Sequence, residues 1–297
     1  MAETPAAEFL IDEPLVRSLL RDQVPHLAEL DVSRAASGWD NEMWRVGAEH
    51  VMRLPRRAQA VELIEHEQRW LPELAPRLPV PVPVPVVAGR PTEAHPRPWN
   101  LVRWLPGRPL ADRPGSLRFA ESLAGVLTAL HQPAPSTAPV NDWRGVPLVD
   151  RAERVETALD ALADRGAHDL AERLRRRWEH LLVSPPYTEA PVWLHGDLHP
   201  LNLLAADGDL AAVIDFGDLT SGDPASDLAV GWMAFDADGR QRLRSLLPAV
   251  DAATWARAQG WALALGALVL QNTDDDPVLE AVGRTTLERV LADEPPR

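Results

Sequence analysis

The chain has 297 residues, 44 Asp and Glu against 30 basic residues, a net charge of -14 and no cysteine, which excludes disulfide frameworks, Cys-bound zinc, iron–sulfur clusters and thiol nucleophiles. Every basic residue is Arg, so a P-loop lysine, a Schiff base and lysine-bound pyridoxal phosphate are excluded too, and any side-chain grip on a phosphate falls to Arg. The acidic balance argues against nucleic acid or an anionic membrane as partner, and the length suits one large or two ordinary domains.

No signal-peptide pattern opens the chain, and its most apolar run, 261–270, is about half of a membrane span, so a cytoplasmic protein is expected. Pro14 and the apolar positions up to residue 22 predict a first helix. The period then falls to two. Residues 32–37, 42–46 and 50–54, separated by Gly38-Trp39-Asp40-Asn41 and Gly47-Ala48-Glu49, predict three antiparallel strands with tight turns. A helix is predicted over 61–74. The run 78–86 alternates Val with Pro, which removes ladder donors, so an edge strand or a polyproline II segment is expected there. Residues 99–105 predict a buried strand ending at Pro106-Gly107, the expected domain boundary. Helical periodicity dominates beyond it, over 117–131 and over 150–182 with a break near Gly166. Short strands are expected at 191–194, 201–204 and 210–214, and three or four helices between 224 and 290. The expected fold is α+β: a small sheet-rich N-terminal lobe, 1–106, a connection at about 99–106, and a larger, mainly helical C-terminal lobe, 107–297.

The chemistry concentrates in His195-Gly196-Asp197-Leu198-His199-Pro200-Leu201-Asn202, followed by Ile214-Asp215-Phe216-Gly217-Asp218. Phosphoryl transfer needs a carboxylate beside the attacking hydroxyl and oxygen ligands for magnesium on the nucleotide phosphates. Asp197, Asn202 and Asp215 are a set of that kind. Their spacing matches the protein-kinase signature H-R-D-L-x-x-x-N, then D-F-G, at every fixed position except the Arg, which is Gly196 here. His195 and His199, with no third His nearby, do not make a zinc site.

The blocks 193–204 and 213–218, with Gly222-Asp223-Pro224-Ala225-Ser226-Asp227-Leu228-Ala229, resemble the aminoglycoside phosphotransferase family, which includes macrolide kinases and is kin to choline kinases and protein kinases. The resemblance spans nearly the whole chain and is most specific over 193–229. It implies a bilobal, protein-kinase-like fold with ATP or GTP between the lobes. It also implies Asp197 as catalytic base, Asn202 and Asp215 as Mg2+ ligands, and His195 and Asp223 as hydrogen-bonding braces of the loop. Family members commonly carry Lys on the third strand, paired with a helix Glu. Arg53 stands in that place, and Glu67, eleven residues before Leu78, is its expected partner, with Glu65 the second choice. On a helix the two Glu point about 200° apart, so they cannot both face Arg53. Ser37, Trp39 and Asn41 fall where a phosphate-covering loop is expected, although a plain hairpin turn would read the same way. Arg103 and Trp104 fall in the connection expected to read the base.

The resemblance implies transfer of the γ-phosphate to a hydroxyl of a small molecule. An aminoglycoside-type antibiotic is the first choice of acceptor and a macrolide or other alcohol the second. A non-catalytic nucleotide-binding module is the reading from another class. Residues 1–110 carry 15 acids and 13 Arg, and the rest carry 29 acids and 17 Arg. A cationic acceptor would draw on the carboxylates of the C-terminal helices, with Asp236, Asp238, Asp274, Asp275 and Asp276 as candidates because those in the motif are otherwise committed.

Overall fold

Helix α1 (Glu13–Gln23) begins where the Asp12 side chain accepts from the Leu15 amide and Pro14 fills the first turn. The computed structural model describes residues 8–111, 113–272 and 276–293. The buried face of α1, Val16, Leu19 and Leu20, covers one side of a five-stranded antiparallel sheet. Its strand order is β1 (Val32–Ser37), β2 (Asn41–Val46), β3 (His50–Pro55), β5 (Trp99–Arg103), β4 (Pro85–Gly89). Trp44, Met52, Leu54, Trp99 and Leu101 complete that layer. The proline-rich run enters the sheet only as β4, on the edge, where missing donors do no harm.

Side chains alternate along β3. Met52 and Leu54 share the face toward α1, so Arg53 points to the opposite face. Helix α2 (Ala60–Leu74) also carries buried Glu67, alongside Ile64 and Leu71. Trp70, Leu71 and Leu74 of α2 join the larger core of the C-terminal part, and the Trp70 ring lies 5.0 Å from that of Trp193.

A short β6 (Arg108–Pro109) leads to α3 (Leu117–Leu130), α4 (Ala152–Asp164) and α5 (His168–Leu182). Gly166, with φ +88, breaks the last two apart. Then come β7 (Val192–Leu194), the hairpin β8 (Leu203–Ala206) and β9 (Asp209–Val213), and β10 (Thr220–Gly222), which returns to pair with β7. Five helices follow among the described residues, against the three or four expected: α6 (Ala225–Leu228), α7 (Val230–Met233), α8 (Ala237–Leu246), α9 (Ala252–Asn272) and α10 (Pro277–Ala292). Helices α6 and α7 have four residues each, too few to show a period of 3.6. Helix α9 is buried along most of its length and carries α4, α5, α6, α7 and α10 around it. Among the described residues no helix is long and apolar enough to cross a membrane.

Candidate active site

The pairing of β7 with β10 brings the 195–202 loop against the segment that follows β9. His195 is fully buried, its ring 4.5 Å from that of Phe216. Its Nε2 lies 3.0 Å from the Ile214 carbonyl and its Nδ1 accepts from the Asp197 amide at 3.2 Å. Those two contacts require the neutral tautomer protonated on Nε2. Gly196 has φ +86, and a Cβ there would stand 2.1 Å from the carbonyl oxygen of Asp218. The glycine that departs from the kinase signature is therefore imposed by a backbone crossing.

The expected brace Asp223 is corrected by the structure to Asp227. Asp227 accepts from the His195 and Gly196 amides at 2.8 and 3.0 Å, and His131 Nε2 lies 3.1 Å from the same carboxylate. Burial works to raise this carboxyl, but His131 and the amide donors outweigh it and hold it below the usual carboxylate range. Asp223 instead pairs with Arg257 at 2.6 Å and accepts from the Ala225 amide at 3.0 Å. It ties β10 to α9 rather than bracing the loop.

The Asp197 carboxylate, 31% exposed, is held from two sides. Arg144 Nη2 donates to Oδ1 at 2.9 Å, and His199 Nε2 lies 3.3 Å from Oδ2. Burial opposes its charge, yet His199 and Arg144 hold it far below the ordinary range. Arg144 comes from the segment between α3 and α4, which β10 pins in place: the Ser221 amide donates to the Pro139 carbonyl at 3.1 Å and the Asp223 amide to that of Gly145 at 2.9 Å. Asp218 shares Arg144 at 3.8 Å and accepts from Asn141 at 2.8 Å. Sequence reasoning missed Arg144, Asn141, Asp218 and Asp227. Only Asp218 and Asp227 stood inside a motif where a signal could have been found.

Asn202 donates its side-chain amide to the Asp197 carbonyl at 2.9 Å, so its side-chain oxygen is the atom that a metal would take up. The Ile214 amide donates to the Asn202 carbonyl at 2.9 Å, so Asp215 follows on adjoining backbone. Asp215 has φ +63, the left-handed region, as residues held at functional sites often do. Hard oxygen donors of this kind on neighbouring backbone fit a magnesium ion.

Arg53 and Glu67 meet in a buried ion pair at 2.6 Å, and Arg53 Nη2 reaches Asp215 Oδ1 at 2.9 Å. Burial opposes the Arg53 charge, but Glu67 and Asp215 raise its pKa above the usual value. Asn100 donates to Glu67 at 2.9 Å and is itself bonded by Gln68 at 3.0 Å. Glu65 is exposed. Ser37, Trp39 and Asn41 lie on the β1–β2 hairpin, where the Gly38 amide donates to the Asn41 carbonyl at 2.9 Å and Arg56 holds the Gly38 carbonyl at 2.7 Å. Arg103 is exposed, 3.7 Å from Glu49. Trp104 is stacked under Arg45 at 3.8 Å, and its amide donates to the Glu49 carbonyl at 2.7 Å. That amide is therefore spent within the fold.

Among the described residues, the expected acceptor carboxylates Asp236, Asp238 and Asp276 do not gather around Asp197. Asp236 caps α8 by accepting from Gly239 at 2.9 Å, and Asp238 sits in the first turn of the same helix. The Gly115–Ala234 hydrogen bond and the Phe119–Phe235 contact place that cap beside the start of α3. His131, which reaches Asp227, follows the other end of α3, about 20 Å along the helix. Asp276 caps α10, just beyond the end of α9. Arg257, which holds Asp223, lies near the start of α9, about 22 Å before Asn272 along its axis. Asp274 and Asp275 lie outside the described residues. Acids at helix starts answer to backbone donors and the helix dipole, a role that composition alone does not separate from ligand binding.

The profile of the phosphotransferase enzyme family matches residues 31–261. No curated protein sequence matches the chain. Among solved structures, the GDP and kanamycin complex of APH(2")-IIia is similar at TM-score 0.68 and 21% identity, covering 93% of this chain and 98% of the other. Macrolide 2'-phosphotransferase MphH from Brachybacterium faecium, as apoenzyme, aligns at TM-score 0.59 and 24% identity over 93% and 98%. ADP-bound aminoglycoside phosphotransferase APH(2'')-Ib gives 0.58 and 17% over 94% and 99%. At such identities the likeness speaks for the fold, which is kinase-like. Together with the profile match over most of its length, this establishes that the chain belongs to the phosphotransferase enzyme family.

Proposed function

We propose that the protein transfers the γ-phosphoryl group of ATP or GTP to a hydroxyl of a small molecule, with Asp197 as the base. Residues 1–106 serve as the nucleotide-binding lobe and 107–297 as the lobe that receives the acceptor. The observation that carries this reading is the joint placement of Asp197, Asn202 and Asp215 on one hydrogen-bonded loop system, with Arg53 reaching Asp215 from the sheet. Asn202 and Asp215 would hold magnesium, which when bound neutralises developing charge on the phosphates. Asp197 orients the acceptor hydroxyl and takes its proton. Its depressed basicity suits a largely dissociative transfer, in which positioning contributes more than proton abstraction. Arg53 steadies the donor phosphates from a charge already aligned by Glu67.

An antibiotic acceptor is supported by the kanamycin complex and the macrolide enzyme among the similar folds. Between the two, the Arg144 guanidinium beside Asp197 favours the second reading: an acceptor without clustered positive charge. The test is a transfer assay with purified protein, each nucleotide, and a panel of kanamycin, a macrolide and choline. A magnesium-dependent phosphomonoester product that is lost in Asp197→Asn supports the proposal. Normal nucleotide binding with no transfer to any hydroxyl compound would leave only the nucleotide-binding module.

A further inference from the structure

Arg151 closes a tight turn (Leu148–Arg151) ahead of α4, and among the described residues it has no ion-pair partner. The residue is 2% exposed, and neither Nε nor Nη1 has a hydrogen-bond partner. Burial is reinforced by repulsion from Arg144 and Arg154, so its pKa is pushed down to about 10. The rings of Trp143 and Trp261 lie 5.5 and 5.7 Å from its guanidinium carbon. Ring faces offset part of the desolvation but accept no hydrogen bond in the guanidinium plane. A buried cation lacking a counter-charge and these acceptors is among the costliest arrangements a fold can hold.

Its neighbours repeat the sign. The exposed Arg154 stacks on Trp143 at 3.6 Å, and Arg144, which follows Trp143 in the chain, is the residue that reaches Asp197. Arg144 is engaged by Asp197 and Asp218, whereas among the described residues no ion pair engages Arg151 or Arg154, and Arg151 is close enough to feel the charge of both Arg144 and Arg154. Trp143, 47% exposed and in contact with both, offers an apolar surface for the body of a ligand.

We propose that Arg151, Arg154 and Trp143 form a subsite for an anionic group, carboxylate or phosphate, on an acceptor whose hydroxyl sits at Asp197. The anion completes the hydrogen bonding of Arg151 and sets the distance from its own charge to the hydroxyl that is phosphorylated. This acceptor class rests on the reading of Asp197 as the base, whereas the anion site itself stands without it.

Two arms test the proposal. In the first, thermal unfolding of the full chain, saturated with ADP, is followed as sodium sulfate replaces sodium chloride at constant ionic strength. The wild type should gain Tm in a saturable way at millimolar sulfate. Arg151→Met should lose that saturable gain, and Arg154→Gln, at an exposed position that does not threaten folding, should need at least several-fold more sulfate. A non-saturating rise shared by all three proteins is the general effect of sulfate on burial and overturns the subsite. In the second arm, hydroxyl compounds are screened beside their carboxylate counterparts, glucose with glucuronate and glycerol with glycerate. Wild-type turnover should favour the anionic members, and that preference should fall at least tenfold in both variants. Saturable sulfate binding with turnover confined to neutral members overturns the acceptor assignment. Saturable binding that is lost in Arg151→Met, with no hydroxyl compound phosphorylated at all, upholds the anion site and rejects the proposed reaction instead.

Discussion

Arg53 holds Glu67 and Asp215 at once: Nη1 donates to both Glu67 oxygens at 2.6 and 2.7 Å while Nη2 donates to Asp215 Oδ1 at 2.9 Å. A planar fork can serve two carboxylates from different parts of the fold, and an ammonium on a flexible stem would have to choose. Arg53→Lys should therefore retain the Glu67 pair and lose the Asp215 contact. Nucleotide KM should rise about 10-fold or more, the scale of one charge-assisted hydrogen bond. Arg53→Met leaves Glu67 buried without its partner and should cost about 3–5 kcal/mol in denaturant unfolding. A loss below about 1 kcal/mol would contradict the buried pair.

Asp197→Asn should keep the fold and the nucleotide affinity but lower turnover by about 10² or more, as loss of a general base does. It also removes the charge that Arg144 and His199 face. Calorimetry with ADP and steady-state turnover separate binding from chemistry, and turnover within threefold of wild type would reject the role.

The two carboxylates of the 222–229 segment should behave differently when removed. Asp227→Ala strips acceptors from the His195 and Gly196 amides, so hydrogen exchange at both should accelerate and turnover should collapse with the loop. Asp223→Ala leaves Arg257 buried and unpaired, costing about 3–5 kcal/mol, while those two amides stay protected. Equal exchange in the two variants would undo the reassignment.

How far such features can be read from sequence depends on how local they are. The strands β1 to β3 turn at Gly38 and Gly47, and α2 has a regular apolar stripe, so periodicity locates them within a residue. Glu67 is legible because it stands eleven residues before Leu78, the spacing the resemblance implies, and helical phase lets only one of Glu65 and Glu67 face Arg53. Asp223 and Asp227 are four residues apart in one motif, and which of them faces the loop depends on how the four-residue α6 seats beneath β7. Arg144 is 53 residues from Asp197 in the chain, and only the pinning of its segment by β10 makes them neighbours. The acids of α8 and α10 are singled out by charge alone, which says nothing of the backbone donors that claim them.

His95 supplies a pH dependence. It is fully buried, neither ring nitrogen has a partner, and Phe9 packs on it at 5.2 Å. Burial, with Arg97 nearby, lowers its pKa to about 4. The unfolded chain thus binds a proton at higher pH than the folded one does, so stability is full above about pH 6.5 and falls as pH drops toward 4. The loss from this residue is up to about 3 kcal/mol. His95→Leu should flatten the Tm profile between those values, and an unchanged slope would assign the acid sensitivity elsewhere.

The crossing at Gly196 also bears on heredity. Glycine and arginine codons differ by a single base, so mutation offers an Arg at this position constantly and would restore the protein-kinase form of the motif. The Asp218 carbonyl occupies the place of any Cβ, and the backbone is turned to a φ that L side chains avoid. Each such variant should be lost as a misfolded loop rather than gained as a kinase. Passage between the two forms of the motif would need the 214–218 segment to move first, which makes the two lineages neighbours in code but not in accessible steps.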